Sequence, residues 1–177
     1  MLKRTEGVVI RTQDYGETHK IVTLFTKELG KIAAISRGAN KPKSRLNAAS
    51  QLFVRGHYLI YVTKGLSTMQ QGEIITSYRA IQENIDKTAY AALLAELTYK
   101  LLEEKQPDLH LYNEFVATLT WLSERDDYFI PVMMYEMKMY QKGGFAPIVD
   151  RCVHCATTKT LSYFSIQEGG LLCQRCF

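Results

Sequence analysis

No run in this sequence approaches the roughly 20 consecutive apolar residues that a membrane-spanning helix needs. The start, Met1-Leu2-Lys3-Arg4-Thr5-Glu6-Gly7, lacks the apolar stretch of a secretory signal, so the expected location is the cytoplasm. Low-complexity tracts are missing too, and 46% hydrophobic with 23% charged residues is the composition of an ordinary globular chain. The phosphate-cradling patterns Gly-x-x-x-x-Gly-Lys-[Ser/Thr] and Gly-x-Gly-x-x-Gly do not occur, nor do His-Glu-x-x-His and Gly-x-Ser-x-Gly. The four histidines (19, 57, 110 and 154) are scattered. The acidic pairs Glu103-Glu104 and Asp126-Asp127 are adjacent residues, which on a helix do not face each other as a two-metal site requires. Together these absences favour a binding protein over an enzyme.

What is present is unevenly distributed. Residues 1–80 hold 13 Lys and Arg against five acids, a surplus of +8, while residues 81–177 carry −4 of the overall +4. Such a split suits a polyanion partner for the first part and packing or protein partners for the second.

From residue 5 to about 78 the pattern has period two. Apolar, β-branched runs at Thr5–Thr12, His19–Thr26, Gly30–Arg37, Leu52–Thr63 and Leu66–Tyr78 predict five strands, separated by turn signals and one long connection, Gly38 to Ser50. Five short strands in that space fit an OB-fold, and an SH3-like barrel would give a similar string.

Beyond residue 80 the period becomes helical. Asp86 is the expected cap of a helix whose apolar set is Ala89, Ala92, Leu93, Leu97, Leu101 and Leu102, ending before Pro107. A second helix spans Leu109 to Glu124 with Leu111, Phe115, Leu119 and Leu122 on one face, and a third runs from near Pro131 to Gly143-Gly144. Trp121, Met133, Met134, Met137 and Met139 read as core or helix-interface packing. The expected class is α+β: an N-terminal five-stranded OB-fold barrel over 1–80, then an α-helical domain over 81–177.

All four cysteines fall in the last 26 residues, as Cys152-Val153-His154-Cys155 and Cys173-Gln174-Arg175-Cys176. Two Cys-x-x-Cys knuckles joined by a segment able to form a hairpin (Leu161 to Ile166, then Glu168-Gly169-Gly170) bring four thiolates onto one Zn²⁺, closed to water and therefore structural. Disulfides fit poorly without a secretion signal, a redox pair would sit in a βαβ unit, and an iron–sulfur cluster is the rarer user of this pairing. His154 is read as an exposed non-ligand. The module occupies 151–177.

The connection Ser36-Arg37-Gly38-Ala39-Asn40-Lys41-Pro42-Lys43-Ser44-Arg45 carries four positive charges and no acid. Flexible Lys and Arg side chains neutralise phosphates and release counterions with little sequence preference. Tyr15, Phe25, Tyr58 and Tyr61 on neighbouring strands offer stacking platforms wherever they face outward, and about half are expected to be core.

Several stretches now resemble one family. Thr5-Glu6-Gly7-Val8-Val9-Ile10-Arg11, Asp14-Tyr15-Gly16-Glu17, Lys20-Ile21-Val22-Thr23-Leu24-Phe25-Thr26, Gly30-Lys31 and Arg37-Gly38-Ala39 look like the RecO family of bacterial recombination mediators, as does Gly144-Phe145-Ala146-Pro147 leading to Cys152 and Cys155. The resemblance implies an OB-fold, a helical domain with a zinc module and a nucleoid-associated role in recombinational DNA repair. It further implies binding of single- and double-stranded DNA, annealing of complementary strands, and work with RecR and the tail of the single-strand-binding protein so that RecA can load. By position and charge, Lys31, Arg37, Lys41, Lys43 and Arg45 are the expected phosphate contacts, joined by Lys20 and Tyr15. Two departures stand out: Ala156 follows the first knuckle where glycine is common, and the sequence stops at Phe177 where the family continues with further helices. The expectation is thus a helical domain incomplete at its C-terminus. An RNA-binding zinc protein of ribosomal or transcription type, and a mainly protein-binding scaffold, are the alternatives.

Overall fold

The computed structural model describes residues 1–177, which fold as two compact units, Met1–Met139 and Tyr140–Phe177. In the first unit, strands β1 (Leu2–Tyr15), β2 (His19–Thr26), β3 (Gly30–Ser36), β4 (Arg55–Tyr61) and β5 (Ser67–Thr76) close into a barrel in the order β1-β2-β3-β5-β4. Only the β3–β5 pairing is parallel, and a short helix α1 (Arg45–Ala49) lies between the third and fourth strands. This is the OB-like arrangement, and the SH3-like alternative falls away.

Alternation explains the interior. Val9, Val22, Leu24, Ile32, Ala34, Tyr58, Ile60 and Met69 point inward at period two and form one apolar cluster. The 14-residue β1 serves two neighbours: Leu2 to Val8 pair with β4, and Gly7 to Tyr15 pair with β2. An irregularity between Val9 and Arg11 bends the strand from one partner to the other.

Helices α2 (Arg79–Gln82), α3 (Ile85–Leu101), α4 (Leu109–Glu124) and α5 (Phe129–Lys142) follow. A second apolar cluster joins the outer barrel residues Val8, Ile10 and Phe25, and Phe53 from the turn before β4, to Leu94, Leu111, Phe115, Leu119 and Tyr135. Phe25 meets Tyr112 and Phe115 edge-on at 5.5 and 5.7 Å, contacts that add about 0.5–1.5 kcal/mol each beyond burial. The expected face of α4 is the buried one. That of α3 is not. Asn84, not Asp86, caps this helix through the amides of Asp86 and Lys87, and Ala91, Leu94, Ala95 and Thr98 are buried while Ala89, Ala92 and Leu93 are exposed. Apolar residues surround α3 almost evenly, so their spacing carried little direction. On α5, Met139 is core as expected, but Met133, Met134 and Met137 face outward. No helix is long and apolar enough to cross a membrane.

The second unit holds the hairpin β6 (Leu161–Ser165) and β7 (Gly170–Cys173).

A candidate nucleic-acid interface and a four-cysteine cluster

The basic connection between β3 and β4 is ordered by contacts that its sequence barely advertises. Ser36, at the end of β3, and Ser50, capping the end of α1, share a buried hydroxyl hydrogen bond of 2.8 Å. Midway, the Gly38 amide donates to His19 Nδ1 at 2.9 Å, the Asn40 amide to the Thr18 carbonyl at 3.0 Å, and Asn40 Nδ2 to Asp14 Oδ1 at 2.9 Å. The segment is therefore strapped to the β1–β2 turn. His19, one of the scattered histidines in the sequence, acts as an acceptor that fixes this strap.

These tethers gather most of the expected contact residues. Arg37, Lys41, Lys43 and Arg45 are exposed, and none enters an ion pair. Tyr15 is exposed at the neighbouring turn, and Lys20 is half-buried, in register with Ser36 on one side and Asp14 on the other. Ser44 accepts from the Leu46 amide at 3.3 Å and starts α1, a helix inside the stretch that the sequence presents as plain connection. Of the four aromatic candidates, Phe25 and Tyr58 are core and Tyr15 and Tyr61 are exposed.

Lys31 is placed elsewhere. Only 8% exposed, it donates from Nζ to the Tyr99 carbonyl at 2.5 Å and lies 5.0 Å from the centre of the Tyr99 ring. Desolvation lowers its pKa, against the charge of nearby Glu104. Arg11 stacks on the same ring at 4.5 Å. Lys31 thus pins the barrel to α3, and its side chain is withdrawn from solvent. Period two identifies alternate residues but cannot say that a helix covers the face on which Lys31 stands.

The four cysteines converge. Their sulfur atoms all lie within 4.8 Å of one another, and none forms a disulfide. Cys155 Sγ and Cys173 Sγ are 3.6 Å apart, close to the edge of about 3.8 Å that a tetrahedron of 2.3 Å zinc–sulfur bonds requires. Both knuckles are wound by backbone hydrogen bonds: the Ala156 amide donates to the Cys152 carbonyl at 2.9 Å, and the Cys176 amide to the Cys173 carbonyl at 3.0 Å. Backbone amides, that of Cys155 foremost, hold the Cys152 thiol down at about 6. The hydrogen bond with Cys173 pushes Cys176 up to about 12. A soft divalent cation bound by the four sulfurs would take them as thiolates and release their protons.

The framework leaves little slack. A Cβ on Gly170 would stand 2.4 Å from the Ile148 carbonyl oxygen and 2.8 Å from Val153 Cγ1, so only glycine lets the segment before the first knuckle lie against β7. Ala156 holds a left-handed φ of 57°, the conformation that explains why glycine suits this position. His154 is exposed, with Nε2 3.2 Å from a Glu168 carboxylate oxygen, and stands apart from the sulfur cluster.

Two family models match the chain: "Recombination protein O N terminal" over residues 1–78 and "Recombination protein O C terminal" over residues 82–177. Three similar proteins are each named DNA repair protein RecO. That of Oceanobacillus iheyensis is 51% identical over 99% of this chain and 68% of its own length. Those of Bacillus subtilis and Bacillus pumilus are 46% and 48% identical over 100% of this chain and 69% of their own lengths.

Proposed function

This chain belongs to the RecO family, and from that membership we propose that it is a non-enzymatic, DNA-binding recombination mediator. In this reading it binds single- and double-stranded DNA, anneals complementary strands and assists RecA loading during recombinational repair. The observation that carries the proposal is the strapped loop, which holds Arg37, Lys41, Lys43 and Arg45 exposed and without acidic partners. Phosphates neutralised there release counterions, so affinity falls with salt. Lys20 and Tyr15 extend the contact beside the loop, whereas Lys31 is held under α3 on the outer face of the barrel. Residues 1–80 form the DNA-binding domain and residues 81–177 the domain that carries the metal module.

Cys152, Cys155, Cys173 and Cys176 are the proposed ligands of one structural Zn²⁺. When bound, the ion supplies a cross-link and no open coordination position. The chain's own contribution is to keep both knuckles wound and the hairpin in register. Proposed partners are RecR and the single-strand-binding protein's tail, in the nucleoid-associated cytoplasm. The outward Met133, Met134 and Met137 of α5 favour such protein contacts, since methionine adapts readily to different surfaces.

Fluorescence anisotropy with labelled DNA across a salt series tests the central reading. Replacing Arg37, Lys41, Lys43 and Arg45 with Glu is expected to abolish binding at moderate salt, and unchanged affinity would falsify the interface. Acceleration of annealing between complementary labelled strands tests the finer activity.

A further inference from the structure

A second polar surface lies on the barrel away from the loop tip. An open groove of about 660 Å³ runs along the outside of β4 and β5, and its lining includes Arg4, Arg45, Leu46, Leu59, Gln70, Gln71 and Glu73. It adjoins a hollow of about 450 Å³ that shares Leu46 and Gln70 and adds Arg37.

Register builds this surface. Across β1, β4 and β5, Arg4 stands opposite Leu59 and Leu59 opposite Gln71, forming one outward row. The next row is Glu6, His57 and Glu73. Between Leu59 and Ile60 the pairing with β5 skips one residue, so Gln70 is extra and joins Gln71 on the exposed surface. The far wall is α1, seated against β5 because residue 72 is glycine: a Cβ there would lie 2.6 Å from Ala49 Cβ.

We propose that this groove is the track for unpaired nucleotides, with Arg37, Arg45 and Arg4 successively holding phosphates, Leu46 and Leu59 beneath the bases, and Gln70 and Gln71 meeting base edges. The inference rests on the DNA-binding reading and specifies the form of DNA. Each part has a reason. Three guanidinium groups, two in the groove and one in the adjoining hollow, match a polyanionic backbone rather than a single small anion. Two half-buried leucines in an open channel offer apolar floor, and paired amides offer both donors and acceptors. A duplex, whose bases are stacked inside, would use only the arginines. Unpaired bases use all three sets.

Glu73 gives the groove a built-in competitor. Its Oε2 lies 3.2 Å from Arg4 Nη2, and both side chains are exposed. A phosphate arriving at Arg4 must displace this carboxylate, so removing the carboxylate favours binding.

The test compares an oligothymidine with a duplex of equal length by anisotropy on the full chain. Gln70→Ala/Gln71→Ala with Leu59→Ala is expected to weaken the single strand about fivefold to tenfold while leaving the duplex unchanged. Glu73→Gln is expected to tighten the single strand about twofold to fivefold. Glu83→Gln, which breaks the exposed Arg79–Glu83 pair on α2, serves as the charge-matched control and should do neither. Retained melting temperatures guard against misfolding. Equal losses on both DNA forms, or no loss on either, overturn the groove assignment even if the loop variant still fails to bind. A wild-type chain that binds neither DNA at low salt overturns the DNA-binding reading itself, and the groove with it.

Discussion

Ser36 Oγ and Ser50 Oγ sit 2.8 Å apart, both fully buried, and join the two feet of the basic connection. Because Ser50 also ends α1, one hydroxyl pair sets both the span of the loop and the height of the helix that follows it. Ser36→Ala removes one partner and leaves the other hydroxyl underused, at a cost of about 1–2 kcal/mol. Thermal melting of the two single variants and the double should show strong coupling, the double costing little more than either single. Additive losses would mean that the pair does not act as a unit.

Lys31 and Arg37 stand at opposite ends of β3, both basic, and they should behave oppositely. Lys31→Ala removes the tether to Tyr99 and is expected to lower stability by about 1–2 kcal/mol with no change in the salt dependence of DNA binding. Arg37→Ala should leave the melting temperature in place and reduce the salt slope by about one.

Glu6 makes part of the fold sensitive to acid. Its carboxylate accepts from Arg55 Nε at 2.7 Å and from the Tyr112 hydroxyl at 3.1 Å. Burial opposes the charge, but Arg55 and Tyr112 outweigh it and hold the pKa below the ordinary carboxylate value. A lowered folded-state pKa gives stability that is complete above the unfolded value, about 4.3, and is lost as pH falls through the folded one. Denaturant unfolding of the native chain should therefore weaken on acidification through that window. Glu6→Gln should flatten this dependence and cost about 2–3 kcal/mol at neutral pH.

Elemental analysis should find one zinc per chain, and chelation should disorder Tyr140–Phe177, followed through the stacked Tyr163 and Phe177 rings. Gly170→Ala should mimic chelation, because the added methyl meets the Ile148 carbonyl. Ala156→Gly should act the other way, relieving about 1 kcal/mol at the left-handed position and slowing metal loss to a chelator. A folded, metal-free second unit would contradict the structural role.

The barrel was readable because alternation and turn residues act within a few positions of each other, and the knuckles because Cys-x-x-Cys spacing is itself the geometry. Legibility failed where a distant element decides. The inward turn of Lys31 depends on Tyr99, 68 residues away, and the inner face of α3 is chosen by the barrel surface rather than by its own spacing. Arg4, Gln70 and Gln71 become neighbours only through strand register and one extra residue in β5. A nearer signal was overlooked: Ser44 before Arg45-Leu46-Asn47-Ala48-Ala49 is a capped helix start, obscured by the lysines and proline ahead of it.

The double service of β1 also bears on how the barrel forms during synthesis. Residues Gly7 to Tyr15 have their partner in β2 a few residues on, but the edge from Leu2 to Glu6 is not fully paired until β4 has been made as far as Tyr61. At about 5–20 residues per second, the roughly 50 intervening residues keep that edge open for about 3–10 s. Lys3, Arg4 and Glu6 stand along it, charges of the kind that discourage a stray strand from adding to an unpaired edge. Arg4, which lines the groove in the closed barrel, is thus one of the charges that the edge carries before its partner strand exists.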